Sequence, residues 1–584
     1  MVTQDEFKGE KPPCDLVMKG GGVSDVAYPL AIVELAKKYR FSSVGGTSAG
    51  ALAAAIAAAA EYARETKGFQ RVAAISDEIA ASLFDQFQPA PRLRPLFNML
   101  TASLVAKWFG VISSAVAGYP GATLAGLLPG LLIVIFVFAS SYGWLPFGFL
   151  FALVGGIVLL ALRVMRALTK ELPEANFGLC SGQTVPGGRG PGMTDWLADT
   201  IDRVAGNVDE KGRLGRPLTF GDLKTNHNRC PIELAMITTD LSMKRPYQLP
   251  FRDGAHFFSK ADFAKLFPAR VMKHMCGNKG PRKLAQGSRD CPDDLYPFPE
   301  AQELPIVVAA RMSLSVPLLF QAVPVYKCDL TLRRGSDQPR KCLFSDGGLS
   351  SNFPIHFFDR LWPNSPTFAI SFDEFSKERH VVGNKEIRVE MATDLREGDL
   401  LPIIPISGIG RFLGRLLDAA RDWHDNLQSV LPGYRERIVH VHLKPDEGGY
   451  NLKMPPPVVQ KLTRIGKCAG ALAAGPTFNM DEHRWRRFLI SMAEMEQQLE
   501  DLIKSHDKRP VGGESFGAFL NRYGSNGSYQ STSEARKLES EWKLETLRRA
   551  KELVALGNRW RDPPTVRSGK IPKPECDFRI VPKQ

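Results

Sequence analysis

One long stretch without charge interrupts the alternation of apolar and polar residues along the chain. From Trp108 to Leu162 there is no Asp, Glu, Lys, Arg or His. A helix needs about 20 apolar residues to cross the hydrocarbon core of a bilayer, so this stretch is long enough for two helices. We predict a membrane hairpin with crossings at 121–140 and 145–165, joined by a turn that carries Tyr142 and Trp144 at the interface.

Basic residues flank this stretch on both sides and predict its orientation. They are Arg92, Arg94 and Lys107 before it, and Arg163, Arg166 and Lys170 after it. Because positive residues accumulate on the cytoplasmic side, both ends are expected in the cytoplasm, which requires an even number of crossings. The inserted segment spans 101–170, and it includes an interfacial helix at 101–119 that ends at Pro120. A shallow re-entrant hairpin is included in this membrane prediction. The alternative, a buried hairpin in a soluble core, is disfavoured by the length of the uncharged run.

The rest of the chain alternates short apolar strands with helical segments. A strand within 13–23 leads into a helical pattern at 27–39, a second strand at 41–45 and an alanine-rich helix at 49–65. Further strands are predicted at 232–241, 306–309, 341–345, 367–372 and 438–443, and polar helices at 481–504 and 532–556. Strand, turn and helix in this order predict an α/β fold with a mainly parallel central sheet.

Composition and charge narrow the classes of partner. The chain has 75 Lys and Arg against 62 Asp and Glu, a formal charge of +13, which favours lipid headgroups or nucleic acid, although such a charge also serves solubility alone. Aromatic and basic residues do not interleave as in known nucleic-acid-binding motifs, so we predict no nucleic acid partner. The nine cysteines form no CxxC pair, so we expect no zinc knuckle. Cys276 and Cys291 lie close enough in sequence to pair, but we expect reduced thiols in a cytosolic compartment. The polar first 14 residues predict no secretory signal.

Two G-x-S-x-G segments offer a candidate nucleophile. Ser48, in GTSAG (46–50), lies between an apolar strand and a strong helix, where glycines permit the sharp turn that exposes a nucleophilic serine. The alternative for Ser48 is a plain helix-capping serine. Ser515, in GESFG (513–517), follows a segment without strand character and is predicted to be a loop serine.

A glycine turn after the first strand offers hydrogen-bond donors. Gly20, Gly21 and Gly22 lack Cβ atoms, so their backbone N–H groups can turn toward an anion or an oxyanion. The alternative is a phosphate-binding loop, but neither the GxGxxG nor the GxxxxGK[ST] pattern is present.

A serine nucleophile needs a base, and Asp346 is the candidate. It ends a predicted strand and two glycines follow it, which places a carboxylate at a strand end. The alternative is an ordinary Asp-Gly turn. His356 would complete a triad in the chain order Ser, Asp, His, but its segment FPIHFF is typical of a helix start with an incidental histidine.

Taken in order, these motifs resemble those of the patatin-like phospholipases. The matching segments are KGGGV (19–23), GTSAG (46–50), ITTDLSMKRPYQL (237–249), AARMSLSVPLLFQAV (309–323), DGG (346–348) and NFPI (352–355). The resemblance covers about 15–75 and 217–375 and implies a patatin-like three-layer sandwich, which we divide into two halves. The polar helices beyond it predict a helical extension. The halves are 13–100 and 217–450, with the hairpin (101–170) and a Gly/Pro-rich linker (171–216) between them and the extension at 451–584.

The resemblance also implies a chemistry. It assigns Ser48 and Asp346 as a catalytic dyad without histidine, and Gly20, Gly21 and Gly22 as oxyanion donors. The expected activity is hydrolysis of fatty-acyl esters in membrane phospholipids or other lipids, with no cofactor and no metal. The chain departs from the family at Ser24 and Asp25, where a basic residue and then Gly are usual. The alternative function is therefore a catalytically weak lipid-binding or membrane-scaffold protein with the same fold.

Overall fold

The computed structural model describes residues 3–138, 145–225, 231–252, 254–277, 280, 292, 294–329, 331, 339–392, 403, 405–449, 451–523, 535–561 and 566–569. Within these residues the strands are β1 (Pro13–Met18), β2 (Arg40–Thr47), β3 (Gly178–Cys180), β4 (Glu233–Asp240), β5 (Arg245–Leu249), β6 (His256–Ser259), β7 (Leu295–Pro297), β8 (Leu318–Phe320), β9 (Val323–Cys328), β10 (Pro339–Ser345), β11 (Thr367–Glu374), β12 (Val381–Val382), β13 (Lys385–Glu386), β14 (Val389–Met391) and β15 (Ile438–Leu443). The α-helices are α1 (Tyr28–Lys38), α2 (Ala49–Tyr62), α3 (Gly68–Ser82), α4 (Arg94–Gly118), α5 (Pro120–Phe138), α6 (Leu145–Arg166), α7 (Leu172–Glu174), α8 (Met193–Ala205), α9 (Phe220–Lys224), α10 (Lys260–Phe263), α11 (Ala269–Cys276), α12 (Ile306–Ser313), α13 (Lys377–His380), α14 (Ile409–Ser429), α15 (Pro456–Ala474), α16 (Met480–Asp507), α17 (Phe516–Tyr523) and α18 (Ala535–Trp560).

Five parallel strands form the centre of an 11-stranded sheet, in the order β15, β11, β1, β2, β4. β1 lies in the middle and is buried from its second residue to its last, which accounts for its nearly continuous apolar run. The connection from β1 to β2 passes through α1, as parallel neighbours require. The carboxyl ends of β1 and β2 therefore meet at one edge of the sheet, and the loops that follow them lie side by side.

The flanks of the sheet are antiparallel, so the sheet is mixed and the prediction of a mainly parallel sheet was wrong. β14 pairs with β15 at one edge, β10, β9, β6 and β7 continue the other flank from β4, and β5 folds back on β4. Residues 241–244 alone join β4 to β5, and so short a connection can join only antiparallel neighbours. The apolar pattern of a strand does not show its direction, which is why the sequence misled here.

Side chains on the two faces of the sheet enter different clusters. Leu16 of β1 belongs to the main core, which also includes residues of α1, α2, α3, α8 and α15. Val17 points to the opposite face and packs in a smaller cluster with Phe353, Ile355 and Phe358. The small alanine side chains of α2 let this helix lie against β1, β2 and β4. This packing fixes the start of α2 at the edge of the sheet.

Two further segments differ from the prediction. Residues 306–309, predicted as a strand, begin α12, a buried helix that starts directly after Pro305. A short apolar run fits a buried strand and a buried helix equally well, so its pattern could not distinguish them. The predicted linker 171–216 contains β3 and α8, and Trp196 and Leu197 of α8 are buried in the main core.

The uncharged stretch forms α4, α5 and α6. One continuous helical segment, Pro146–Glu174, is long and apolar enough to cross a membrane. It runs from α6 through a π-helical turn at Ala167–Glu171 to the end of α7. The segments Phe109–Gly118 and Pro120–Phe136 meet at an angle of 89° and reach that length only when they are counted together. The predicted turn with Tyr142 and Trp144 lies outside the described residues. By length and composition the structure gives one candidate span, and the second crossing stays a prediction.

Candidate active site

Ser48 lies on a sharp turn between β2 and α2. Its backbone φ is +56°, a value that residues other than glycine rarely adopt and that indicates strain. A Cβ on Gly46 would lie 2.4 Å from the Gly50 oxygen, and a Cβ on Gly50 would lie 2.4 Å from the Met18 oxygen. The two glycines of the G-x-S-x-G segment are therefore required by close backbone contacts on both sides of the serine.

The Ser48 hydroxyl donates a hydrogen bond to Oδ2 of Asp346 at 2.7 Å, across 298 positions of sequence. Both residues are buried, with 7% and 5% of their surface exposed. Asp346 directly follows β10, which pairs with β4 only through its last two residues, at the carboxyl end of β4. Because β4 lies beside β2, the sheet brings the aspartate to the same edge as the serine.

Burial raises the pKa of Asp346 to about 6, because the charged carboxylate loses contact with water. The Ser48 hydroxyl and the Gly348 N–H, which donates to Oδ1 at 2.7 Å, stabilise the ionised form and limit the rise. The Asp346 N–H donates to the Ser315 carbonyl at 3.0 Å, and the Thr239 hydroxyl donates to the Asp346 carbonyl at 2.9 Å. Asp346 is thus a fixed carboxyl group that ionises within the neutral range.

The Gly20–Gly22 loop follows β1 and passes directly beside Ser48. A Cβ on Gly20 would lie 2.8 Å from the Ser48 Cβ and 2.5 Å from Oδ1 of Asn352, so only glycine fits there. Gly22 has a φ of +63°, which also favours glycine. The Gly20 N–H donates to the Asn352 carbonyl at 3.1 Å. This contact engages one of the three predicted donors and leaves the Gly21 and Gly22 N–H groups as candidates.

Ser24 holds this loop at the position where a basic residue is usual in the family that the sequence resembles. Its hydroxyl donates to the Gly21 carbonyl at 2.8 Å and accepts the Gly449 N–H at 3.1 Å. The Val23 N–H donates to the Gly449 carbonyl at 3.0 Å. Ser24 is 1% exposed, so these bonds are shielded from water. Neutral hydrogen bonds therefore fix the loop at this position.

Ser313 and Asp425 support the site and were missed in the sequence. The Ser313 hydroxyl accepts the Ser48 N–H at 3.1 Å. Asp425 of α14 accepts the N–H groups of Asn352 and Phe353 at 2.6 and 2.8 Å, and so holds the segment after Asp346. Ser313 lies within the 309–323 segment that carries the resemblance. Asp425 had no local signal, because its partners lie 72 and 73 positions away.

His356 and Ser515, the two competing candidates from the sequence, have surroundings that differ from those of Ser48 and Asp346. His356 lies in a short 3-10 helix, Ile355–Phe358, while the Ser48 hydroxyl bonds a carboxylate directly rather than an imidazole. Ser515 precedes α17, and its hydroxyl accepts the Ala518 N–H at 3.2 Å, as a helix-capping serine does. This contact agrees with the prediction of a loop serine.

An apolar cavity lies beside Ser48. It holds about 690 Å³ of empty space, including its open mouth. Apolar side chains dominate its wall, among them Val23, Val26, Leu52, Ile79, Leu83, Phe87, Met193, Trp196, Leu314, Val316, Leu319, Phe320 and Leu452. Such a wall suits a hydrocarbon chain, whose burial is favourable in proportion to the apolar area removed from water.

Among the described residues, one cluster has the composition of a metal site. It consists of His380, Glu390 and His442, whose potential ligand atoms lie within 4.8 Å of one another. The His380 Nδ1 accepts the Ser376 N–H at 2.9 Å, which places the proton of the neutral ring on Nε2. The His442 Nε2 lies 2.9 Å from a Glu390 oxygen, and the two rings stack at 3.7 Å. These contacts favour a hydrogen-bonded group over metal ligation.

Comparisons with known proteins give a relative that matches over nearly the whole chain. No protein-family model matches the chain. A protein of Rhizobium meliloti (strain 1021) described as "RpoH suppressor" is 32% identical over 648 aligned positions, which cover 97% of this chain and 98% of that protein. Among solved structures, the type III effector protein ExoU aligns over 95% of this chain and 74% of its own, with 13% identity and a TM-score of 0.28. A similarity that weak carries no argument about function.

Proposed function

The chain belongs to the family of the RpoH suppressor of Rhizobium meliloti, a name that states no reaction, and we propose its reaction from the site. The protein is a membrane-anchored serine hydrolase that cleaves fatty-acyl esters of phospholipids or other lipids, of the phospholipase A or lysophospholipase type. The observation that carries this proposal is the 2.7 Å hydrogen bond between a strained serine and a buried aspartate beside an apolar cavity.

In the first half of the reaction, the acyl group moves to the enzyme. The Ser48 Oγ bonds to the ester carbonyl carbon while its proton passes to Asp346. The π electrons move onto the carbonyl oxygen, where the N–H groups of the glycine loop and the positive end of α2 stabilise the oxyanion. When the oxyanion collapses, the bond to the alcohol oxygen breaks and Asp346 returns the proton to that alcohol. An acyl-serine remains.

In the second half, water releases the fatty acid. Asp346 takes a proton from water as the water oxygen bonds to the acyl carbon. The bond to Ser48 then breaks, and the serine oxygen recovers the proton from Asp346. One carboxyl group serves as base and acid in turn, which suits a pKa of about 6.

Product analysis with phospholipid vesicles tests the proposed reaction. We expect the full-length protein to release free fatty acid and the matching deacylated lipid from vesicles of phosphatidylcholine and phosphatidylglycerol. In water enriched in ¹⁸O, the fatty acid should gain one labelled oxygen, because water hydrolyses the acyl-serine. Mass spectrometry measures both, and mixed-chain lipids show which acyl position is cleaved. Vesicle binding without either product would favour the alternative, a lipid-binding protein without turnover.

The contact between α5 and α6 supports the insertion of both helices as a hairpin. A Cβ on Gly126 would lie 2.3 Å from the Gly155 oxygen, and a Cβ on Gly130 would lie 2.1 Å from the Ala152 nitrogen. The helices thus touch through small residues, as membrane helices do. Their other faces expose large apolar side chains, including Leu124, Phe136, Phe147, Leu153 and Ile157. Hydrocarbon accommodates such a surface and water does not. In this proposal both ends of the hairpin, and the catalytic domain, lie on the cytoplasmic side.

Membrane extraction and thiol labelling test the insertion and the orientation. We expect the protein to stay in the membrane pellet after extraction with alkaline carbonate, because the hairpin is held by hydrocarbon rather than by charge. Cys468 of α15 is exposed. A membrane-impermeant maleimide should label it in inside-out vesicles and not in right-side-out vesicles, and Cys468→Ser serves as the control. Release by carbonate would count against insertion, and labelling from outside would reverse the orientation.

A further inference from the structure

Asp25 is a carboxyl group, separate from Asp346, in the wall of the cavity that contains Ser48. Both of its oxygens are buried, and within the described residues neither has a hydrogen-bond partner of normal geometry. No lysine or arginine in the described part of the chain forms an ion pair with it. A Cβ on Gly21 would lie 2.7 Å from its Oδ1, so the carboxyl group rests against the glycine loop. A buried polar group without a partner destabilises a fold, so Asp25 indicates a role in the chemistry of the site.

The surroundings of Asp25 favour its neutral form. Burial raises its pKa well above the ordinary value of 3.8, the charge of Asp346 raises it further, and the Gly21 N–H acts in the opposite direction. Tyr28 of α1 is a further titratable group that interacts with it, and the Tyr28 hydroxyl donates to the Lys19 carbonyl at 2.6 Å. Two buried carboxyl groups that interact electrostatically do not readily ionise together. These surroundings therefore favour the protonated form of Asp25 when Asp346 is charged.

We propose that Asp25 is a further catalytic residue, a neutral acid that donates its O–H to the oxyanion beside the Gly22 N–H. The proposal rests on the acyl hydrolysis proposed above. Asp25 keeps its proton throughout, and its hydrogen bond strengthens as negative charge develops on the carbonyl oxygen. A carboxylic acid kept neutral by an apolar site is suited to this role. The ionised form would repel the oxyanion and compete for the Gly21 N–H.

Asp25 adds a hydrogen-bond donor that the glycine loop does not supply. The Gly20 N–H is engaged by the Asn352 carbonyl, so the loop offers two N–H groups rather than three. Gly is usual at the Asp25 position in the family that the sequence resembles, and Gly brings no donor of its own. An acid at this position restores a third donor to the site.

Two substitutions separate donation from charge. Asp25→Ala removes the donor, and we expect kcat on phosphatidylcholine–phosphatidylglycerol vesicles to fall about 100-fold, as for other oxyanion donors, with little change in KM. Asp25→Asn keeps an N–H donor and cannot ionise, so its kcat should stay within about tenfold of the wild type. Wild-type kcat should fall as the pH rises through the Asp25 pKa, and this alkaline limb should be absent from Asp25→Asn.

Three results would overturn the proposal. They are an Asp25→Ala variant as active as the wild type, one more active than the wild type, and an Asp25→Asn variant that keeps the alkaline limb. The second would show that the carboxyl group obstructs the site. Cooperative thermal unfolding shows that each variant is folded. Ser48→Ala in the same assay distinguishes failure of the Asp25 proposal from failure of the proposed function. Persistent hydrolysis in Ser48→Ala would remove the proposed function itself.

Discussion

Ser48→Ala is expected to abolish the release of fatty acid from phospholipid vesicles, with a loss in kcat/KM of about 10,000-fold or more. The change removes the oxygen that forms the acyl-serine and the hydrogen bond to Asp346, while the glycine loop and the cavity stay in place. A fluorophosphonate probe reacts with activated serines, so it should label the wild type and not the variant. Mass spectrometry of released fatty acid and gel fluorescence of the labelled protein measure the two effects.

Ser515→Ala is the matched control, because the same G-x-S-x-G spacing surrounds a different serine. Ser515 caps α17, so its replacement should cost about 1 kcal/mol of stability at most and leave turnover within about twofold of the wild type. Equal losses in the two variants would point to a general effect of substitution. Persistent turnover in Ser48→Ala would remove Ser48 as the nucleophile.

The sequence predicted individual strands, helices and turns wherever a short segment determines its own structure. The strand predicted at 438–443 coincides with β15, and the helix predicted at 49–65 begins where α2 begins. Buried strands are apolar along their length, and alanine favours helix, so each segment carries its own signal. The same holds for the turn at Ser48, where the glycines are required by contacts only a few residues away.

Contacts distant in sequence could not be predicted in this way. The direction of the outer strands depends on which strands become neighbours, and a strand has the same apolar pattern in either direction. Asp425 holds the segment after Asp346 from 73 positions away and left no local pattern. Ser24 and Asp25 were noticed as departures from a motif, but the structure alone places one at the loop and the other in the cavity wall.

Asp346→Asn is expected to lower kcat about 1,000-fold, the range of general base catalysis. Asparagine has nearly the shape of aspartate, but its amide accepts no proton at neutral pH, so Ser48 keeps its own. Wild-type kcat/KM should fall as the pH drops below about 6, where the carboxylate becomes protonated. The residual activity of the variant should lack this acid limb. Fatty-acid release from vesicles between pH 4.5 and pH 8 measures both.

The same substitution is expected to stabilise the fold above pH 6. Because the pKa of Asp346 rises from 3.8 to about 6 on folding, its stabilising contribution is complete below pH 3.8 and is lost as the pH rises through 6. At 1.36 kcal/mol per pH unit, the loss approaches about 3 kcal/mol. Asparagine cannot ionise, so the variant does not undergo this loss of stability. The variant should therefore have the higher Tm at pH 8, with a smaller difference at pH 5.

Thermal unfolding of wild type and variant at the two pH values separates two roles for the carboxyl group. If Asp346 served only the fold, its replacement would weaken the hydrogen bonds from Ser48 and Gly348 and lower the Tm at both pH values. If the acid is instead held in a dry site for catalysis, its replacement raises the Tm above pH 6, because the fold is less stable when that acid is ionised. A variant that loses turnover while it gains stability would therefore identify Asp346 as the base.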